Sequence, residues 1–335
     1  MSVKIKDLAK QLNLSVATIS KALKDSHEIS PETKQKVLDL AKKLNYTPNA
    51  YASSLRKRTS KTIAVVLPEV ADSFFSLAIN GIESVAHDKG YHVLIYLTHE
   101  SFEREEAILK EFQSGRVDGI LISVSGETRS SDHIKNVIAA GMPLVFFDRV
   151  CEDVETAKII TDDFESSYNA TSQLLKAGCS RIAYLSTSSA LSINNKRMEG
   201  YIKALADNGV KRITDDIVSC ISDDEGNYHI ILNLLKKKSR PDGLIASVEK
   251  LTTPIYLACN SLNLLIPDDI KIISFTNLPA ALILTPTLTT VTQPAFEMGK
   301  TAAAVLFKSL EKSNYNLKEE IRVIPSVLNI RNSAS

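Results

Sequence analysis

From residue 63 onward, short apolar runs alternate with helical patterns, and this alternation leaves few folds open to the chain. Runs at 63–67, 92–96, 119–123 and 144–147 have the length and apolar continuity of buried parallel strands. A second series follows at 159–161, 182–185, 217–220, 243–247 and 272–275. Between them lie helical stripes such as 76–89, 103–113, 165–177 and 198–208. Strand–helix alternation over this length predicts doubly wound parallel sheets with right-handed crossovers. A body of about 270 residues is large for one such unit, so two subdomains are expected.

The first 48 residues follow another rule. Ile5, Leu8, Ala9 and Leu12 fall on one face of a short helix, and Ile19, Ala22 and Leu23 on one face of a second. The polar turn Asn13-Leu14-Ser15 separates them, with Ser15 placed to cap the second helix. Ser30-Pro31 starts a third helix, with proline at the first position, where its missing N–H costs nothing. Val37, Leu38, Ala41 and Leu44 are expected to close a three-helix core, and Pro48 ends the segment. Helix, tight turn and second helix predict a helix-turn-helix, whose second helix can enter the major groove.

Charge divides the chain in the same place. The whole sequence is nearly neutral, with 40 Lys and Arg against 39 Asp and Glu. Up to Lys61 there are 13 basic and 5 acidic residues, leaving the body acidic. A basic head on an acidic body fits a protein that holds phosphate with one end. A merely solvated charged surface accounts for the asymmetry but not for the helical pattern beside it.

The runs IKDLAKQLNLSVATISKAL, SPETKQKVLDLAKKLNYTPNAYASSLR and KTIAVVLPEVADSFF closely resemble the LacI/GalR family of bacterial transcription regulators. GYHVLIYLTHESFEREEAILKEFQSGRVDGILI, RMEGY and TPTLTTVTQP extend the resemblance in family order over essentially the whole chain. It implies an all-α helix-turn-helix head plus an α/β body of two doubly wound parallel-sheet subdomains, like a periplasmic binding protein. The implied divisions are a DNA-binding head (1–48), a hinge helix and linker (49–61) and an effector-binding and dimerisation body (62–335). Within the body, the first subdomain would take about 62–161 and 292–320, and the second about 162–291 and 321–335, with crossings near Asp162, Val291 and Ile321.

The resemblance also implies roles for single residues. Val16, Ala17 and Lys21 would face base edges, the first two through apolar contact and the lysine as a donor to guanine or phosphate. Ser15, Thr18 and Ser20 are candidates for phosphate contacts that set register. Asn49, Ala52, Leu55 and Arg56 belong to the implied hinge, with Leu55 as the wedge that unstacks a base step in the minor groove. In the body, ligands of open α/β sheets sit beyond the carboxyl ends of the strands. Phe74, Phe75, Asp148, Arg149, Arg197, Ser222, Glu249 and Thr276 are the effector-binding candidates there.

Departures from the family pattern sharpen the expectation. Thr276 stands where an acidic residue is usual, and Val248-Glu249 where the family has Asn-Asp. Loss of these acceptors, with Lys196, Arg197 and Arg149 nearby, points to an anionic sugar derivative, because Arg forks match carboxylate and phosphate.

Enzymatic signals are missing. No two of the 12 glycines have G-x-G spacing, and neither H-E-x-x-H nor G-x-S-x-G occurs. No catalytic residue, metal site or cofactor is expected. The 4 cysteines, Cys151, Cys179, Cys220 and Cys259, are scattered without a C-x-x-C pair and read as reduced thiols of a cytoplasmic, nucleoid-associated protein. No apolar stretch approaches the ~20 residues of a membrane span, and the first residues lack a signal-peptide core.

Three function classes compete: a ligand-responsive regulator, a transport-type sugar-binding protein and an enzyme on a doubly wound scaffold. The basic head favours the first. Its expected partners are a palindromic double-stranded operator, a small-molecule effector and a second copy of the chain, with no membrane. The effector would choose one orientation of the subdomains and so decide whether the hinge segments form on DNA.

Overall fold

A computed structural model describes residues 3–46, 59–112, 114–187, 191–211, 213–221, 223–312 and 314–335. The chain divides into two compact units, Met1–Ser60 and Lys61–Ser335. In the first, helices α1 (Ile5–Leu12), α2 (Val16–Leu23) and α3 (Pro31–Lys43) pack around Leu8, Ala9, Ile19, Ala22, Val37 and Ala41. Asn13 ends α1 in the left-handed region at φ 52°, which asparagine tolerates. The Thr18 amide then donates to the Ser15 hydroxyl at 3.0 Å, and the Thr33 amide to Ser30 at 3.3 Å. Both caps stand where the sequence puts them. Ser15→Ala should lower the melting free energy of the head by about 1 kcal/mol, readable by circular dichroism of residues 1–60.

One core expectation is corrected. Leu38 is 47% exposed, and Leu40 packs against the core in its place. On α3, Leu40 lies three residues from Val37 and four before Leu44, whereas Leu38 is turned about 100° away from Val37.

The body holds two six-stranded sheets. The first contains β1 (Thr62–Leu67), β2 (His92–Leu97), β3 (Gly119–Ile122), β4 (Leu144–Phe147), β5 (Ala157–Ile160) and β11 (Ile321–Val323), in the order β11-β5-β4-β3-β1-β2. The second contains β6 (Ile182–Ser186), β7 (Ile217–Ser219), β8 (Gly243–Ala246), β9 (Lys271–Phe275), β10 (Thr289–Thr292) and β12 (Val327–Asn329), in the order β12-β10-β9-β8-β6-β7. All pairings are parallel except β10 with β12. Each sheet therefore reverses direction once, between β1 and β3 and between β6 and β8. In open α/β sheets a ligand crevice lies outside the strands' carboxyl ends at such a point.

The connections are α4 (Ser73–Asp88), α5 (Phe102–Phe112) and α6 (Asp132–Ala139) in the first lobe, then α7 (Asp163–Lys176), α8 (Ser192–Asp207), α9 (Asp224–Leu235) and α10 (Thr252–Ser261) in the second. Helix α11 (Ala295–Glu311) returns to the first lobe and packs its Met298, Ala302 and Leu306 among Ile82, Val145 and Ile159. Glycines let these helices approach closely. A Cβ on Gly81 of α4 would lie 2.1 Å from the Phe296 carbonyl oxygen, and one on Gly299 of α11 would lie 2.0 Å from that of Ala78. Gly200 of α8 has the same role against Phe164 in the second lobe, at 2.2 Å.

The chain passes between lobes after β5, after β10 and between β11 and β12. The last passage differs from the expected one near Ile321. Ile321–Val323 pairs with β5 in the first sheet, and the Ile324 amide still donates to the Ile160 carbonyl. The first lobe thus keeps residues 321–324, which the sequence assigns to the second. Pro325 supplies the physical reason, because proline removes a ladder donor and breaks the run in two. The Ser326 amide donates to the Asp162 carboxylate at 2.7 Å, tying the first passage to the third.

Candidate DNA-reading helix and ligand cleft

On α2, Ala17 and Lys21 are exposed and one turn apart, and Ser20 beside them is half-buried. Val16 is half-buried against the head core, and the Thr18 and Ser15 hydroxyls are hydrogen-bonded at 2.8 Å. Lys21 also has an unforeseen partner, since its ammonium is paired with the half-exposed Glu28 carboxylate. Asn49, Ala52, Leu55 and Arg56 lie outside the described residues, as does Ser222 of the body.

In the body, Phe74, Phe75, Asp148, Arg149, Arg197, Glu249 and Thr276 line one cavity between the lobes. Asp72, Ile193, Val248, Phe275, Asn277 and Gln293 complete its wall. Asp72 and the two phenylalanines come from the start of α4, after β1, and Asp148 and Arg149 follow β4. Glu249 and Thr276 follow β8 and β9 of the other lobe, and Arg197 lies on α8. The Phe74 and Phe75 rings pack edge to face at 5.3 Å and belong to the first lobe's core as well as to the cavity wall. Asp148 takes φ 61°, again in the left-handed region.

The polar groups are bonded across the cleft. Glu249 accepts from the Ser73 amide at 3.0 Å and from the Ser73 hydroxyl, both in the first lobe. From its own lobe it accepts from the Thr276 hydroxyl at 2.5 Å and the Asn277 amide at 3.0 Å. The Gln293 amide nitrogen donates to Asp148 at 3.2 Å, and Lys196 pairs with Glu152 at 2.7 Å. The space left inside is about 30 Å³. That holds a water or two, far below the ~300 Å³ of a small-molecule pocket. A sugar-sized ligand enters only when the lobes part.

The arginines are already neutralised. Arg149 donates to both oxygens of Glu100, at 3.0 and 2.9 Å, and its guanidinium lies over the Phe75 ring. Arg197 is 2% exposed, donates to Asp163 and to the Ser247 carbonyl, and stacks over Phe275 at 4.2 Å. Burial works to raise Glu100, yet the Arg149 guanidinium together with the Gly126 amide holds the carboxyl below its usual value. Burial pushes Asp148 and Asp163 upward, against neighbouring arginines. Asp72 is pushed up to about 7, first by burial and then by the Glu249 charge.

These pairings lend the expected anion-seeking cleft no support. Lys196, Arg197 and Arg149 each have a carboxylate partner, Lys196 sharing Glu152 with Lys158. Glu100 and Asp163 were missed because a pairing across elements leaves no mark on local sequence. Both nevertheless follow predicted strand ends, a position that could have flagged them. Among the described residues, no His, Cys, Asp and Glu group is arranged to hold a metal ion, and no helix is long and apolar enough to cross a membrane.

Similar proteins share both parts of this arrangement. Residues 60–330 match the family of periplasmic binding proteins and sugar binding domain of LacI family, and residues 4–49 match bacterial regulatory proteins, lacI family. The ribose operon repressor of Haemophilus influenzae is 29% identical over 314 residues, 94% of each chain. The lac repressor dimer bound to operator and the anti-inducer ONPF superposes with a TM-score of 0.86 at 21% identity, over 100% of this chain and 99% of that one. A LacI family transcriptional regulator from Enterococcus faecium with bound ribose is 26% identical, with a TM-score of 0.72 over 82% of this chain and 98% of that one. With a capped reading helix, two lobes of the same strand order and family matches running from residue 4 to residue 330, the chain belongs to the LacI family of bacterial transcription regulators.

Proposed function

We propose that the protein is a cytoplasmic repressor that binds an inverted-repeat operator as a homodimer and answers to a polyhydroxylated effector held between its lobes. The observation that carries the effector reading is the Glu249 carboxylate, which takes hydrogen bonds from both lobes inside the cleft. A ligand competing for such groups prefers one lobe orientation, and its binding is linked reciprocally to operator binding. The ribose-bound relative supports a sugar-type occupant. The test is operator binding by gel shift with and without a panel of sugars. No salt-sensitive, saturable binding to any palindrome, or no sugar that changes it, would sink the reading.

Exposed apolar side chains support the dimer. Leu94 and Ile95 stand exposed on edge strand β2 and Leu77 on α4, while Leu282 and Ile283 are 60% and 81% exposed in the second lobe. Exposed apolar side chains of this size are candidates for an interaction surface. Ile95→Asp with Ile283→Asp should give monomers by sedimentation velocity and lose operator binding with them.

Two changes probe DNA contact. Glu28→Gln frees Lys21, so affinity for any duplex should rise severalfold and its salt dependence should steepen. Leu55→Ala should weaken specific operator binding severely and leave sugar binding unchanged. Equal operator affinity in that variant removes the wedge.

A further inference from the structure

The charge inside the cleft is unbalanced in a way that specifies the effector more narrowly, and the inference rests on reading the cleft as the effector site. Arg149 and Arg197 are each held by a carboxylate behind the wall, Glu100 and Asp163. What remains at the wall is Asp72, Asp148 and Glu249. Asp148 has the Arg149 Nε at 3.9 Å, but among the described residues Asp72 and Glu249 have no Lys or Arg within ion-pair distance. They come from opposite lobes, Asp72 immediately before α4 and Glu249 bonded to Ser73 at its first turn. In this cleft, beyond the effect of burial, the Glu249 charge acts on Asp72 and helps to raise its carboxyl, a repulsion that a cation between the two relieves.

Two residues that line the cavity also keep a buried donor with no hydrogen-bond partner among the described residues. Arg149 Nε and Arg197 Nη2 have none, although the two side chains are 8% and 2% exposed. Because their charges are already matched, they call for neutral acceptors. A sugar hydroxyl accepts from an arginine and donates to a carboxylate at once. An anion is refused twice, since Glu249 already fills the amino end of α4 that would receive it.

We propose that the cleft is selective for a polyhydroxylated amine, whose protonated nitrogen is received by Asp72 and Glu249 and whose hydroxyls are received by Arg149 and Arg197. The raised pKa of Asp72, near neutrality, has a corollary. A bound ammonium draws Asp72 into its ionised form, so amine binding near pH 7 releases a proton to the buffer.

The full-length chain can be tested by thermal shift and titration calorimetry against matched rings. The set is glucose, galactose and ribose, their amino-deoxy counterparts, the N-acetylated amines, and glucuronate, galacturonate and glucose 6-phosphate. The expected result is an amino sugar binding at least tenfold more tightly than both its neutral parent and its N-acetyl form. Its heat should depend on buffer ionisation, and the acids should be silent. Asp72→Asn and Glu249→Gln should each narrow the amine-to-parent ratio at least tenfold, with thermal melts reporting that the variants fold. Neutral or acidic rings binding as tightly as the amines would overturn the amine preference and leave the sugar-cleft reading standing. A ratio untouched by either variant overturns the residue assignment and the proposal with it. No response to any class overturns the cleft reading too.

Discussion

Arg197→Ala will destabilise the body by about 3–5 kcal/mol, the cost of removing one partner of a buried ion pair. The guanidinium is 2% exposed and Asp163 3%, so water does not replace what is lost. Three attachments go together: the Asp163 bond at 2.7 Å, the Ser247 carbonyl bond at 2.6 Å and the stacking on Phe275. The Asp163 carboxylate then remains in a site where burial already raises its pKa. With the arginine gone that pKa rises further above its unfolded value, and the folded state gains by holding a proton. A carboxyl raised in this direction gives stability at low pH that is lost as pH rises through the folded pKa. The deficit measured in urea should therefore be larger at pH 8 than at pH 5. Arg197→Met with Asp163→Leu should recover most of it, because no unpaired charge is left. A single-variant loss below 1 kcal/mol would mean that the pair is solvated.

Gly81→Ala should cost about 3 kcal/mol or more by overpacking, although alanine is the better helix former by about 1 kcal/mol. The clash decides the sign, since the new Cβ would meet backbone, with the Phe296 oxygen at 2.1 Å and the Lys300 nitrogen at 2.9 Å. A flexible side chain could swing aside, whereas α11 would have to shift as a body. Gly90→Ala is the comparison: its added Cβ meets nothing within 4 Å, but φ 67° makes it strained, at about 1–2 kcal/mol. Thermal melts should rank wild type above Gly90→Ala and Gly90→Ala above Gly81→Ala. A Gly81→Ala protein more stable than wild type would show the two helices to be further apart.

The elements most legible in the sequence are those whose signal is local. Apolar runs placed β4 at its observed bounds, and the Ser15 and Ser30 caps depend only on residues three apart. Strand ends told which loops meet in the cleft, because parallel order puts every carboxyl end on one side. Signals that depend on distant partners were not legible. Arg149 and Arg197 read as free cations until Glu100 and Asp163, 49 and 34 residues away, were seen against them. Lys21 with Glu28 is the same lesson at a separation of seven residues. The passage after β11 was legible in Pro325 but was overridden by the apolar residues on both sides of it.

The three passages between lobes have a consequence for synthesis. The second lobe's strands β6 to β10 and its four helices emerge as one uninterrupted stretch, and β12 adds only an edge. The first lobe begins earlier but lacks α11, whose Gly299 seats against α4, until residue 311 has been made. Apart from β12, the second lobe's strands and helices are thus complete in the chain before those of the first lobe. A nascent chain halted before α11 leaves the apolar face around Ala78 and Ile82 uncovered, so residues 295–311 complete the core of the first lobe.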